Sequence, residues 1–206
     1  MQKPIQTSVA YAWFDAEFTS LDLDRAKLLQ VALVLTDSDL QRLTPPEEDL
    51  NLFIQLDPKE PISPWVQENL PDLVGKCQSK VAVSLADADL RLADLLDRYC
   101  PNASKEMALR PVLAGNSVHN DWFLARRFLP EFSARLHYRL LDVSSLKIQW
   151  QDAFLESAFD KENKEALRTF WPDNLSDLQA HDALFDAKAS LAELAFYRSK
   201  MVPSEK

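Results

Sequence analysis

Apolar and polar residues alternate along the chain with two different periods, which predict both strands and helices. Near-continuous apolar runs at 10–18 and 28–36 are typical of strands that are buried on both faces of a sheet. Alternation at 50–56 predicts a third, more exposed strand. Two shorter apolar runs at 110–114 and 138–143 predict a fourth and a fifth strand.

Between these strands, apolar residues recur at helical spacing. A helix is predicted to start after Ser63, because its side chain can cap the helix and Pro64 suits the first helical position. Leucines and valines within 81–99 predict an amphipathic helix. Another helix is predicted over 120–135, and Pro130 is expected to kink or end it.

The last third of the chain combines two predicted helices with a polar segment. Ser144 or Ser145 is expected to cap a helix that follows the fifth strand. The charged stretch at 160–177 is expected to be an insertion on the surface, and a long final helix is predicted over 178–200. Three strands in a row, followed by strands that alternate with helices, indicate an α/β fold in which helices cover a mixed sheet. A chain of 206 residues, ordered from about 10 to 200, is expected to form one domain.

The composition predicts a protein of the cytoplasm. Apolar residues make up 47% of the chain, yet no apolar run approaches the ~20 residues that a membrane-spanning helix needs. Residues 1–10 contain no basic start followed by an apolar stretch, so no secretory signal is recognised. Cys77 and Cys100 lack the spacing of a metal site, and core thiols are favoured over a disulfide in a reducing compartment.

Net charge and the scarcity of glycine exclude several classes of function. A net charge of −9 disfavours a long nucleic-acid footprint, because proteins that contact many phosphates need a basic stripe. Only Gly75 and Gly115 occur, which excludes the glycine-rich phosphate loops of kinases, P-loop NTPases and dinucleotide dehydrogenases. A nucleic-acid substrate should therefore be short, or be held mainly through bound cations.

Two carboxylates stand in the first apolar run. Asp15 and Glu17 are two residues apart, so in a strand both side chains point to the same face. Among Trp13, Phe14 and Phe18, two like charges are costly unless a cation neutralises them, and Mg²⁺ and Mn²⁺ prefer oxygen ligands. Other pairs with the same spacing are expected to be solvated, namely Asp22/Asp24, Asp37/Asp39 and Asp87/Asp89.

Three further residues can belong to the same site or have ordinary structural roles. Asp121 opens a helix, where the helix dipole favours a carboxylate, but it can equally project from the mouth of the sheet. A lone histidine in the position of His181 is more often a surface residue than a catalytic one. Asp186 follows Leu184 and Phe185, and it would need a partner if it faces inward.

Four segments of the chain stand in an order and spacing that are typical of one protein superfamily. WFDAEFTSLD at 13–22 carries an Asp-x-Glu pair, and AGNSVHNDWFLARRFLP at 114–130 carries Asp121. HDALFDAKASLAELAFYR at 181–198 carries a histidine and an aspartate in the spacing of a third motif. With HYRLLDVSSLK at 137–147, the set resembles the DEDDh exonuclease superfamily, and most closely its oligoribonucleases.

The resemblance implies a fold, a metal centre and a reaction. The fold is RNase H-like, with a five-stranded mixed sheet. Two Mg²⁺ or Mn²⁺ ions are held by four carboxylates, namely Asp15, Glu17, Asp121 and Asp186. Such ions, ~4 Å apart, can stabilise both oxygens of phosphoryl transfer, while His181 takes the proton from the attacking water. The implied activity is 3′→5′ hydrolysis of very short RNA or DNA oligonucleotides, with dinucleotides favoured, to nucleoside 5′-monophosphates.

A homodimer with a closed substrate pocket is also implied. Leu21 matches a wedge between two bases, and Trp65 matches an aromatic residue near the 3′ nucleotide. Ser117 and Ser144 match two hydroxyls that hold the 5′ phosphate. Tyr138 and Arg139 match two groups that reach across from the second subunit. The alternative for the leucine and the tyrosine is core packing, and for the arginine it is an ordinary surface charge.

The chain departs from the oligoribonuclease pattern at four places. Ser20 replaces a glycine, so the turn must avoid the special backbone angles of glycine. Leu70 stands where a histidine is typical, which leaves open whether RNA or DNA is preferred and how long the substrate is. His119 stands where a smaller or amide residue is usual, and the insertion at 160–177 could act as a lid or block longer substrates. The alternatives are a general DEDDh exonuclease for longer single-stranded ends and a catalytically silent nucleic-acid-binding module.

Overall fold

A five-stranded mixed sheet forms the centre of the protein in the computed structural model, which describes residues 10–101, 103, 106–154, 157–171 and 181–201. The strands are β1 (Tyr11–Phe18), β2 (Leu28–Thr36), β3 (Leu50–Phe53), β4 (Val112–Gly115) and β5 (Leu140–Asp142). Their order in the sheet is β3-β2-β1-β4-β5, so β1 is central. β2 runs antiparallel to β1 and β3, whereas β4 runs parallel to β1 and β5. The predicted α/β fold is confirmed.

Helices flank this sheet. In the described part of the chain they are α1 (Pro64–Asn69), α2 (Pro71–Cys77), α3 (Leu85–Tyr99), α4 (His119–Phe128), α5 (Pro130–Ala134), α6 (Val143–Ala153), α7 (Lys164–Phe170) and α8 (Ala183–Met201). Ser63 caps α1 as predicted, because its side chain accepts a hydrogen bond from the backbone N–H of Val66. Pro130 ends the helix predicted over 120–135, which is two helices, α4 and α5.

Two hydrophobic clusters cover the two faces of the sheet, because neighbouring residues of β1 point to opposite sides. Ala12 and Phe14 pack with α3, α4 and α5 on one face. Trp13 packs with α6, α7 and α8 on the other. With both faces covered, a ligand site is expected at the ends of the strands rather than on a face.

Gly115 allows β4 to lie close to β1. A Cβ atom at this position would be 2.9 Å from the carbonyl oxygen of Phe14, a contact that side chains essentially never make. Two residues later, Ser117 has φ 51, in the left-handed region, before the chain enters α4. The tight exit from β4 brings the start of α4 next to the central strand.

The ends of several predicted elements were wrong by a few residues. β3 ends at Phe53, and the next residue, Ile54, forms an isolated parallel bridge to Val83. α3 begins at Leu85, where the side chain of Ser84 accepts the capping hydrogen bond. β4 and β5 are each shorter at their start than the apolar runs suggested.

Two predictions about polar side chains were also wrong. Neither Ser144 nor Ser145 caps α6, because Asp142 stands at the N-cap and its carboxylate accepts from the N–H of Ser144 at 2.9 Å. Asp89 is not solvated as expected but is 5% exposed. Its carboxylate instead caps α5 by accepting from the backbone N–H groups of Glu131 and Phe132 at 3.0 and 2.8 Å.

The segment at 160–177 is not only a surface insertion. Residues 164–170 form α7, capped by the Asn163 side chain, and Leu167 and Trp171 are buried in the cluster that covers α8. Apolar residues in a charged context therefore contribute to the core. Residues 172–177, and the first three residues of the helix predicted over 178–200, lie outside the described residues.

Two simpler predictions can be compared directly with the structure. Cys77 and Cys100 are free and buried, which confirms that they are core thiols. No helix in the described ranges is both long enough and apolar enough to cross a membrane.

Candidate active site

Asp15 and Glu17 lie in the carboxyl-terminal half of β1, the central strand. Both are partly buried, and their two-residue spacing points their side chains to the same face. Trp13 points to that face too and packs there with α8, so the two carboxylates face the helix that carries Asp186.

Asp121 reaches the same strand from the first turn of α4, where it is buried. Its Oδ1 atom accepts a hydrogen bond from the backbone N–H of Ala16 at 3.0 Å. The N–H is available because β4 pairs with β1 only as far as Trp13. Asp121 agrees with both readings that the sequence left open, because it stands in the first turn of α4 and its side chain also reaches the central strand.

Glu17, His181 and Asp186 form a compact group of potential metal ligands. One ligand atom from each lies within 4.8 Å of the others. Asp186 stands in the first turn of α8, and its Oδ2 atom accepts from the backbone N–H of His181 at 2.8 Å. His181 has φ 65, which is unfavourable for a residue with a side chain, so this hydrogen bond helps to hold a strained turn.

Burial and mutual repulsion raise the pKa values of Asp15, Glu17 and Asp121. Burial and then the charge of Asp186 raise the pKa of Asp15 from 3.8 to about 8. Burial and then Asp15 raise the pKa of Glu17 from 4.5 to about 9. The pKa of Asp121 lies well above its usual range for the same two reasons, although the N–H of Ala16 opposes this.

A centre of this kind needs positive charge when its carboxyls are ionised. Carboxylate oxygens beside one imidazole are a donor set that suits Mg²⁺ or Mn²⁺. The five residues proposed from the sequence therefore meet at one place, and their chemistry fits a divalent-metal site.

A network that the sequence reasoning missed holds the turn of His181. Gln30 is buried on β2 opposite Glu17, and its Nε2 atom donates to Asp182 Oδ2 at 3.1 Å and to Asn51 Oδ1 at 2.6 Å. Asp182 caps α8 by accepting from the N–H groups of Leu184 and Phe185. The signal was present, since Gln30 is a lone amide within an otherwise apolar run.

Lys161 also reaches this centre and was also missed. Its Nζ atom lies 2.6 Å from Asp186 Oδ1. Burial lowers the pKa of Lys161, but the hydrogen bond and charge of Asp186, together with Asp15, raise it overall. No sequence signal identified this lysine, because it stands among other charged residues.

An apolar pocket of about 500 Å³ opens beside Glu17 and His181. Leu21 and Trp65 line it and are 88% and 50% exposed, so neither is a core residue. The ring of Trp65 meets the imidazole of His181 edge-on, with centroids 5.3 Å apart. Two large exposed apolar side chains beside the carboxylates can contact bases, which have flat apolar faces.

Ser117 and Ser144 come together at the end of β4. Their Oγ atoms are 3.3 Å apart, and the N–H of Ser117 donates to Ser144 Oγ and to Asp142 Oδ1, each at 3.0 Å. His119, one of the departures from the family pattern, is exposed with Nδ1 3.8 Å from Asp142 Oδ2. The two hydroxyls and a backbone N–H thus form one small polar cluster.

Tyr138 and Arg139 are not part of this centre within the monomer. Tyr138 is 63% exposed and stacks on His137, and the guanidinium of Arg139 lies 5.6 Å from the Tyr138 ring. Core packing is therefore excluded for Tyr138. Among the described residues, no hydrogen bond or ring contact connects either side chain to the five residues of the centre.

The positions of Leu70 and Ser20 clarify two departures from the family pattern. Leu70 is buried at the junction of α1 and α2, where it packs with Leu29 and Val66. Ser20 is not among the described residues with positive φ, so its turn avoids the glycine conformation as expected. Leu70 also lines a second pocket of about 430 Å³ together with His181, but it offers no hydrogen bond there.

The fold has solved counterparts. Exonuclease I from Methylocaldum szegediense matches with a TM-score of 0.59 at 19% identity, covering 93% of this chain. This chain corresponds to 41% of the length of that exonuclease. The class that the sheet and the carboxylate centre define is therefore the RNase H-like exonuclease fold.

Sequence comparisons identify the family. An exonuclease family model (RNase_T) matches residues 12–194, so the chain belongs to the exonuclease family, and it is a hydrolytic 3′→5′ exonuclease. The mitochondrial oligoribonuclease of Mus musculus is 30% identical over 196 residues, covering 92% of this chain and 72% of its own. The oligoribonuclease of Francisella tularensis subsp. tularensis is 26% identical over 211 residues, covering 96% and 99%.

Proposed function

We propose that this exonuclease degrades very short oligonucleotides, dinucleotides above all, to nucleoside 5′-monophosphates, with two Mg²⁺ or Mn²⁺ ions at the carboxylate centre. The observation that carries the proposal is the grouping of Glu17, His181 and Asp186 within 4.8 Å beside the pocket of Leu21 and Trp65. The names of the mouse and Francisella relatives, both oligoribonucleases, support the RNA class of substrate.

The residues of the centre have complementary roles in the proposed reaction. Asp15, Glu17, Asp121 and Asp186 would hold the ions, which supply Lewis-acid stabilisation of the attacking and leaving oxygens. His181 would accept a proton from the attacking water, since its imidazole is exposed to solvent and lies beside the carboxylates. The strained turn and the contact with Trp65 orient this imidazole.

Pocket size and charge support a short substrate. A pocket of about 500 Å³ is of the size that holds one small ligand, not a long strand. The net charge of −9 provides no basic stripe for a longer backbone. In our proposal Trp65 stacks on the 3′ base, Leu21 separates it from its neighbour, and Ser117 and Ser144 hold the 5′ phosphate.

A length series tests the proposal. With Mn²⁺, 5′-labelled RNA and DNA of two to twenty nucleotides should be cleaved fastest at two nucleotides. The Asp15→Asn variant should lose at least about 100-fold in kcat, because one ligand oxygen becomes a neutral amide. Exposed Asp24→Asn, which makes the same change outside the centre, is the matched control.

Each outcome of the series separates the candidates. Equal rates at all lengths would favour a general exonuclease for longer ends and contradict the dinucleotide preference. A wild-type chain without activity on any length would favour a silent nucleic-acid-binding module. Full activity of Asp15→Asn would contradict the metal centre.

We also propose that the chain acts as a homodimer in which Tyr138 and Arg139 approach the partner's pocket. The proposal is supported by their exposure and, within the described residues, by the lack of a hydrogen bond or ring contact between these side chains and their own centre. Light scattering at micromolar concentration should give twice the mass of one chain. A monomeric mass would contradict this role.

For the compartment, we retain the cytoplasm as a proposal. The oligoribonuclease of Francisella tularensis fits it, whereas the name of the mouse relative includes the mitochondrion. Cell fractionation distinguishes the two, and recovery only with an organelle would contradict the cytoplasmic assignment.

A further inference from the structure

Lys161 places a positive charge directly on the carboxylate centre. Its ammonium lies 2.6 Å from Asp186 Oδ1. Burial and the charge of Asp186 raise the pKa of the neighbouring Asp15, and the charge of Lys161 offsets part of this rise. The side chain of Asp186 is 11% exposed and that of Lys161 40%, so the pair is only partly screened by water.

The backbone around Lys161 is anchored on both sides. Phe159 and Leu167 are 5% and 2% exposed and pack in the cluster that covers α8. Between them, the N–H of Asn163 donates to the carbonyl of Asp160 at 3.2 Å, and the Asn163 side chain caps α7. The ammonium therefore contacts Asp186 from a backbone segment that is held by packing and capping contacts on both sides.

Both oxygens of Asp186 already have partners. Lys161 donates to Oδ1, and the backbone N–H of His181 donates to Oδ2. A divalent cation that binds Asp186 must share one of these oxygens with its present donor or displace that donor. On either oxygen the cation lies close to the ammonium, and the two positive charges repel at this distance.

We propose that Lys161 competes with the divalent cation for Asp186, so that the protein without substrate binds metal weakly. A phosphate at the centre gives the displaced ammonium another anion to pair with, and phosphate binding therefore strengthens metal binding. By linkage, the metal strengthens phosphate binding to the same extent. This inference rests on the proposed function, because it takes Asp186 as a metal ligand.

Calorimetric titration of the metal-free full chain with Mn²⁺ tests the competition without any reaction. The Lys161→Met and Lys161→Gln variants should bind Mn²⁺ about tenfold more tightly than the wild type, because the competing charge is gone. Lys161→Arg keeps the charge and should resemble the wild type. Lys164→Met removes the same charge from an exposed position three residues on, and should change the affinity by less than about twofold.

A second titration in saturating adenosine 5′-monophosphate tests the coupling. The nucleotide should tighten Mn²⁺ binding more in the wild type than in Lys161→Met. Only the wild type has an ammonium that can leave Asp186 and pair with the phosphate. Mn²⁺ affinity that is unchanged or weaker in both neutral variants overturns the competition. Absence of Mn²⁺ binding in the wild type and in both neutral variants, with and without the nucleotide, overturns the proposed metal centre as well, so the two failures are distinguishable.

Discussion

At the scale of single residues, Gln30 connects two strands to the turn that carries His181. Its Nε2 atom donates hydrogen bonds to Asn51 and Asp182, and its Oε1 atom accepts one from the N–H of Ala183 at 3.3 Å. Gln30 touches none of the reacting groups, so it is a positioning residue. A small displacement of a general base lowers the rate of the chemical step more than it weakens substrate binding.

We expect the Gln30→Leu variant to lose between about 10- and 100-fold in kcat with little change in KM, because the turn of His181 is no longer held. Steady-state kinetics on a dinucleotide with Mg²⁺ measure both constants. Gln55→Leu, the same substitution at an exposed position, should leave both unchanged. If KM rises while kcat stays constant, Gln30 supports the pocket and not His181.

The centre was predictable residue by residue only where local context marks a side chain. Asp15 and Glu17 stand out because their strand is apolar, and both do meet at the centre. The position of Asp121 depended on the exit of the chain from β4, which no local pattern encodes. Lys161 depended on how a distant segment packs on α8, so only the folded chain shows its contact.

At the scale of elements, sustained patterns were predicted well and weak ones poorly. β2 spans the predicted residues, because all nine of its positions are buried and the apolar run has no ambiguity. α7 was missed because few apolar residues mark it. Leu167 and Trp171 nonetheless bury their side chains against α8 and so attach a charged segment to the core. Tertiary packing, not local propensity, makes this segment an element.

The same packing explains why α7 matters for the site. The anchored turn before α7 carries Lys161, and α8 carries Asp186, so one hydrophobic cluster sets the distance between the two charges. The capping of α6 by Asp142 has a similar effect on the serine cluster. Its Oδ1 atom accepts from the N–H groups of both Ser117 and Ser144 at 3.0 and 2.9 Å, which ties β4 to α6.

At the scale of the whole molecule, the buried carboxyls couple stability to pH. Asp15 and Glu17 have pKa values of 3.8 and 4.5 when freely solvated and about 8 and 9 in the folded protein. Between these values the folded chain retains protons that the unfolded chain has released. Stability contributed by these groups is therefore present at acidic pH and is lost as pH rises through 8 and 9. In the proposed metal centre, a divalent cation would replace these protons and offset the repulsion between the ionised carboxylates.

We therefore expect the melting temperature of the metal-free protein to fall between pH 6 and pH 8.5, and the stabilisation by Mg²⁺ to be larger at pH 8.5. A change of about 1 kcal/mol moves the melting temperature by about 2–4 °C in a chain of this size. Glu17→Gln cannot ionise at this position, so its melting temperature in EDTA should fall less over the same interval. Calorimetric scans of both proteins with EDTA and with Mg²⁺ measure the differences. Parallel losses in the wild type and in Glu17→Gln would mean that other groups cause the pH dependence. A response to Mg²⁺ that is equal at both pH values would show that metal binding does not replace protons on these carboxyls.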